Sequence, residues 1–365
     1  MTMNRIGVFA ASAIVLWAGQ ARAQEEIIFR GKDKDESVKK SIKSESARGI
    51  IVAGAKEPIA PEIIVDVIYE VEPIDIRLSS YRPAQAAEKL ANDPSKEAKR
   101  AANLADALQK YEATLKGLKP SPPPQRHLEY KIAYLMGIQA QEGAGTPEAA
   151  IARLIDFKNK HPDSWQLLSA LKLLAALQIA KGQFADAETT YRDLAKANVA
   201  DDVKLEAELG AAHVNLRGKK IAAAQGILSG LLAKLPKDSP FATRVRVAQA
   251  ECLAAEKKGP EARKILGDVI TKTRDPALKA VAYNTLGQSY FDAGMHKEAR
   301  WEFLWVDVVY NQDRNEHAKA LYYLMRVFEQ LNENERAQEC RDTLLNDRQF
   351  QGLEYQRLAR ERKGS

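Results

Sequence analysis

The stretch that decides the fold is Tyr283-Asn284-Thr285-Leu286-Gly287-Gln288-Ser289-Tyr290-Phe291-Asp292-Ala293-Gly294-Met295-His296-Lys297-Glu298-Ala299-Arg300-Trp301-Glu302-Phe303-Leu304-Trp305-Val306. Its apolar residues recur at helical spacing on both sides of Gly294. The first run sets Tyr283, Leu286, Gly287 and Tyr290 on one face, and the second sets Ala299, Phe303 and Val306 on another. Two helices joined at a glycine able to take positive φ is the structure this order specifies. The small Ala299 lets a neighbouring helix approach closely. A helix pair of this kind cannot bury its own apolar face and needs further pairs stacked on it.

The pattern repeats on both sides. Ala150, Ala187, Ala223, Ala262, Ala299 and Ala337 are spaced by 37, 36, 39, 37 and 38 residues. Five positions before them stand Gly145, Gly182, Gly218, Lys257, Gly294 and Asn332, so glycine or asparagine fills five of the six turn slots. Lys257 departs, and Gly259 is expected to carry that turn. Four positions after the alanines come Leu154, Tyr191, Ile227, Leu266, Phe303 and Arg341, and seven after come Phe157, Leu194, Gly230, Val269, Val306 and Leu344. The units at 131–166 and 203–242 are degenerate, with Gly226 and Gly230 where packing residues are expected. A period held through six units is the mark of a repeat array. Ala150, Ala187, Ala223, Ala262, Ala299 and Ala337, with Gly182 and Gly294, are the predicted repeat-packing residues.

This pattern resembles the tetratricopeptide repeat family, best at Tyr283, Leu286, Gly287, Tyr290, Ala299, Phe303 and Val306, and in half a unit at Ala187, Tyr191 and Leu194. The resemblance covers residues 127–350. It implies a mainly α protein, an α-α superhelical solenoid whose concave surface is lined by the first helix of each pair. It also implies a partner, a protein or extended peptide, held on that surface. The groove positions it gives are Asn284, Thr285, Gln288 and Asp292 in the fifth unit, and Lys319, Tyr322, Tyr323, Arg326 and Glu329 in the sixth. Asn284, Gln288, Lys319, Tyr322, Tyr323 and Arg326 are the candidate partner-binding residues. Asn284 with Lys319 and Arg326 would offer donors to a carboxylate, although the family's full clamp set is not present.

The flanking regions read differently. Residues 24–82 carry short β-branched bursts at Ile27-Ile28-Phe29, Val38 to Ile42, Gly49 to Val52 and Ile63 to Tyr69, separated by charged or turn-like pieces. A small β module is expected, an SH3-like or Sm-like barrel or a sheet, and it is too small to be stable without packing on the helices. Residues 83–126 form a helical connector, divided at Asn92-Asp93-Pro94-Ser95. The Lys119 to Pro124 run within it is expected as an extended polyproline spacer. Residues 351–365 form a basic tail expected to start as a capping helix and then fray. At the other end, Arg5, the apolar run Ile6 to Ala18 and the small-x-small site Ala21-Arg22-Ala23 make residues 1–23 a cleavable signal peptide. That run is shorter than the roughly 18 apolar residues a membrane helix needs, and no later segment reaches that length. Export to the periplasm or beyond follows, with no transmembrane segment after cleavage.

The remaining chemistry is mostly exclusion. Charged residues make up 28% and hydrophobic ones 45%, which suits a folded, soluble chain. The net charge of +6 is spread thinly, so nucleic acid is not an expected partner. His127, His161, His213, His296 and His317 show no metal-ligand spacing, and neither a nucleophile elbow nor a phosphate loop occurs. No catalytic residue, metal site or cofactor is therefore predicted. Cys252 and Cys340 are expected as inert thiols. Trp301 and Trp305 are expected in core slots, the alternative being that one of them is exposed as a partner anchor. The function these observations favour is a non-catalytic binding scaffold of the cell envelope. An accessory subunit presenting substrate to an envelope enzyme is the alternative.

Overall fold

The computed structural model describes residues 25–362 apart from 33, 70–77, 119–121 and 238. The leader expected at 1–23 lies outside the described residues. Five short strands come first, β1 (Glu25–Arg30), β2 (Asp35–Lys40), β3 (Ile42–Ser46), β4 (Gly49–Val52) and β5 (Ile64–Ile68). β1 lies antiparallel between β2 and β5, setting Ile27 opposite both Val38 and Val67. β3 and β4 pair separately as a hairpin. Of the barrel and sheet alternatives, the module takes the open-sheet form. Its core of Ile27, Ile50, Val52, Ile64, Val67 and Tyr69 is completed by Trp165 from the helical part. The module thus borrows apolar cover from the solenoid, as its size requires.

Helix α1 (Leu78–Ala91), a 3₁₀ turn at Pro94–Lys99 and α2 (Arg100–Gly117) form the connector. They join through Tyr81, Ala84, Ala87, Leu104, Ala107 and Tyr111. α1 begins ahead of the expected boundary and runs through Pro83, which forfeits only one backbone hydrogen bond near the helix start. Helix α3 (Pro122–Gln141) opens with Pro122, Pro123 and Pro124. Amide donors in a first turn have no intrahelical partner, so proline costs little there. The expected polyproline spacer is therefore a helix start, with Lys119–Ser121 outside the described residues.

Six helix pairs follow among the described residues: α3 with α4 (Pro147–Lys160), α5 (Leu167–Ala180) with α6 (Phe184–Lys196), and α7 (Asp201–Arg217) with α8 (Ile221–Lys234). They continue with α9 (Pro240–Ala255) and α10 (Gly259–Lys272), α11 (Pro276–Asp292) and α12 (His296–Val308), then α13 (Arg314–Gln330) and α14 (Asn334–Asn346). Each helix packs on the next, and α3 also touches α5, α7 touches α9, α9 touches α11 and α11 touches α13. A 3₁₀ turn at Arg348–Phe350 leads to α15 (Glu354–Glu361), which lies on α13 and α14.

The second helix of each pair buries its small residue. Ala150, Ala187, Ala262 and Ala299 are wholly enclosed, and Ala337 nearly so. The third unit corrects the frame read from sequence. Ala223 is exposed, and Ala224 takes the slot, followed by buried Leu228 and Leu231 in place of Ile227 and Gly230. The true spacing of the slots is then 37, 37, 38, 37 and 38 residues. Five positions before them, the elbows at Gly182, Lys219, Lys257, Gly294 and Asn332 all have positive φ, between 59° and 74°. Lys257 makes its own turn, and Gly259 begins α10 instead. Gly218 yields to Lys219. In the first unit the left-handed residue is Gly143 rather than Gly145.

Candidate functional site

The wall formed by α9, α11 and α13 is tied together by polar side chains. Thr285 donates to the Val281 backbone oxygen at 2.8 Å and lies 3.4 Å from Glu251 Oε1 on α9, and Asn284 Nδ2 donates to both the backbone oxygen (2.9 Å) and Oε2 (2.7 Å) of Glu316 on α13. Asn284 is fully buried by these contacts. This corrects its assignment as a partner-binding residue, because its donor is spent on the scaffold. Its carbonyl oxygen is buried without a partner among the described residues.

The other candidates stay accessible. Gln288, Lys319, Tyr322, Tyr323 and Arg326 are all partly buried. Positions 319, 322, 323 and 326 share one face of α13 by helical spacing. The Arg326 guanidinium lies over three rings, at 4.5 Å from the centre of Phe291, 5.5 Å from Tyr323 and 5.7 Å from Tyr322. No carboxylate pairs with it among the described residues, and its Nε is buried without a partner. Loss of hydration raises the Asp292 carboxyl above its ordinary value, with Arg326 opposing. Burial pushes the Tyr323 phenol up to about 12, with Lys319 opposing. A cation boxed by rings next to a second free ammonium suits an anionic or aromatic guest.

The C-terminal helix reaches the same wall. Tyr355 lies 5.5 Å from Tyr322 and 6.4 Å from Tyr323, ring centre to ring centre. Glu329, a predicted groove position, is taken by Arg362 at 2.8 Å. Arg217 at the end of α7 meets Glu354 at 3.0 Å, although 137 residues separate them. The array therefore curves until its third pair touches the C-terminal helix. The tail expected at 351–365 is ordered as α15 through Glu361, anchored by Phe350, Gln356 and Ala359.

Trp301 and Trp305 correct a second expectation. Both are exposed, at 59% and 47%, and with Val308 and Val309 they form an apolar ridge along α12. That helix carries two stripes, since its other face buries Ala299, Phe303 and Val306. Glu302 beside the ridge has no basic partner among the described residues, and burial pushes its carboxyl up to about 7.

A buried polar cluster joins the β module to the helices and was not foreseen from sequence. His127 Nε2 lies 2.9 Å from Asp66 Oδ1, and Gln85 donates to Asp66 Oδ2 at 2.7 Å. Lys131 Nζ donates to both Glu88 oxygens at 3.0 Å and sits 3.4 Å from Asp66. Tyr111 donates to Glu88 at 2.6 Å. Burial opposes the Asp66 charge, but Lys131 and His127 together hold its carboxyl well below the usual range. Burial likewise opposes the Lys131 charge, yet Asp66 and Glu88 hold the ammonium above its usual value. Burial pushes the His127 imidazole down, with Asp66 opposing. Asp66, Glu88, His127 and Lys131 are nearly closed to solvent, and the cluster joins the β module to the helices. Only the i, i+4 placement of His127 and Lys131 hinted at it.

The thiols are buried or partly buried, and burial pushes Cys252 up to about 11 and Cys340 to about 12. Among the described residues no three potential ligands cluster as a metal site. No helix among them is long and apolar enough to cross a membrane.

Stacked helix pairs with left-handed elbows and a curved inner wall define a tetratricopeptide-repeat-like α-α superhelix. A solved tetratricopeptide repeat protein from Parabacteroides merdae superposes with a TM-score of 0.52 at 15% identity, over 76% of this chain and 99% of that one. A Rap protein complexed with competence and sporulation factor gives 0.47 at 14% identity, over 73% and 75%. NprR in complex with its cognate peptide NprX gives 0.45 at 12%, over 78% and 82%. No protein-family model matches the sequence, and no curated protein matches it.

Proposed function

We propose that the protein is an exported, non-catalytic scaffold that holds an extended peptide or protein segment against the wall of α11 and α13. The observation that carries this reading is Arg326, an unpaired guanidinium boxed by Phe291, Tyr322 and Tyr323, with Lys319 on the same face. A guanidinium that makes no salt bridge among the described residues, with Asp292 near enough to feel its charge, can take a carboxylate supplied by a partner. The leader sequence supports export, and the cell envelope is the corresponding site of action. A second reading, an accessory subunit that presents its guest to an enzyme, is favoured by the α12 ridge. Trp301 and Trp305 stand on a different helix from the groove residues, which would let two partners bind at once.

Selection of a displayed random peptide library on residues 24–365 tests the groove. Peptides recovered this way should lose binding to the Lys319→Glu, Arg326→Glu double variant, while far-ultraviolet circular dichroism stays unchanged. Undiminished binding to that variant removes the groove from consideration.

A further inference from the structure

α15 does more than an end cap requires. Capping the last pair needs apolar cover for α13 and α14, and Phe350 and Ala359, both fully buried, supply it. Gln356 adds hydrogen bonds to the backbone oxygens of Leu344 and Leu345 at 3.2 and 3.3 Å. Two side chains of the first turn also reach past the cap, although Tyr355 packs on the cap cluster as well. Glu354 crosses to Arg217 on α7, and the Tyr355 ring meets, tilted, the two tyrosines that line the groove. Burial, with the Glu354 charge next, pushes the Tyr355 phenol well above its ordinary value, and the side chain packs against the Ala318, Leu321, Leu344, Phe350 and Ala359 cluster.

The contact the turn makes with α7 is weak, whereas Gln356 holds the turn itself to α14. The ion pair is about half exposed on each side, so solvent and salt screen it. Leu353 offers no side-chain cap to the helix it precedes, and the helix has only 8 residues. Gly352, with φ 76°, makes the bend between Phe350 and the turn, and its N–H donates to Gln356 Oε1 at 3.3 Å.

We infer that Glu354 and Tyr355 are a tethered stand-in for the groove's guest, which is a segment carrying a carboxylate next to an aromatic residue. The guest's carboxylate takes Arg217 and its ring takes the place of Tyr355 against Tyr322 and Tyr323, while Phe350 and Ala359 keep the cap in place. This rests on the groove reading above and narrows it to a ligand chemistry and a displacement. Charge complementarity fixes the acidic member, because Arg217 has no other carboxylate partner among the described residues.

The test is fluorescence anisotropy with a labelled peptide of the chain's own Gly352–Arg357 sequence, titrated with the full chain. The opened variant Glu354→Arg, Tyr355→Ala should bind it about tenfold tighter or better than the unaltered chain, as removal of a tethered competitor at millimolar effective concentration would give. Adding Arg217→Glu to the opened variant should abolish binding. The single Glu354→Gln variant, which leaves every cap contact intact, should give a smaller gain in the same direction and guards against misfolding. Equal affinity for the unaltered and opened chains overturns the inference. So does equal binding of a control peptide with Lys and Ser in place of Glu and Tyr, or no binding by any variant. The groove reading stands or falls separately, on the library peptides and the Lys319, Arg326 variant.

Discussion

Replacing Gly287 by alanine should destabilise the solenoid even though alanine is the better helix former. Gly287 lies inside α11, where propensity alone would reward the change by roughly 0.5–1 kcal/mol. A methyl group built there would come within 2.8 Å of Cζ, 2.9 Å of Cε1 and 3.0 Å of Cδ1 of Phe303. That ring is fully buried and stacked 5.1 Å from Tyr323, so it has nowhere to go. Overpacking of this kind costs about 1–3 kcal/mol, leaving a net loss of up to about 2.5 kcal/mol. Gly230 on α8 is the internal control, since a methyl group there meets nothing within 4 Å. Gly230→Ala should collect the propensity gain undiminished. Urea unfolding followed by circular dichroism at one temperature reads both, and the midpoints should move in opposite directions. A Gly287→Ala chain as stable as Gly230→Ala would refute the claim that the two helices of this pair meet at Gly287.

Two further outcomes are expected. Ala224→Leu should lower stability by about 1–3 kcal/mol, whereas Ala223→Leu should change it by less than about 0.5 kcal/mol; equal effects in urea unfolding would restore the frame with Ala223 inside. The third outcome concerns pH. The lowered pKa of His127 means the unfolded chain takes up its proton first, so this group's stability is complete above its ordinary value of 6.5 and is lost as pH falls below it. Glu302, raised from 4.5 to about 7, works in the opposite sense over part of that range. The readout is therefore the difference between the unaltered chain and His127→Gln, whose stability should fall less steeply between pH about 6.5 and 5. Parallel profiles would show that the imidazole is not held neutral.

Much of the array could be read from the chain alone because each unit restates the same constraint. Ala187 and Ala299 must be small, Gly182 and Gly294 must turn, and the spacing recurs. The slip in the third unit has a physical origin in the tract Ala222-Ala223-Ala224, which offers three equivalent small residues. Gly218 pointed to the wrong one, because the elbow is made by Lys219 at a φ that lysine seldom adopts. The joint at Asp66, Glu88, His127 and Lys131 left no local trace beyond the i, i+4 spacing of His127 and Lys131. Each of those residues looks solvated in its own stretch, and they meet only through tertiary packing. Asn284 illustrates the converse, a residue correctly placed on the inner wall whose hydrogen-bonding capacity is consumed by Glu316. The exposure of Trp301 and Trp305 was hidden because α12 bears two apolar stripes, and periodicity does not say which one faces inward.

The contact between Arg217 and Glu354 has a mechanical meaning. Pairs in such an array touch only their neighbours, so the gap between those two residues accumulates every small rotation at the junctions from α7 to α15. The molecule is in effect a calliper whose jaws are set by joints far from the tips. A bulkier side chain at any one of those joints would reset the opening without touching either jaw.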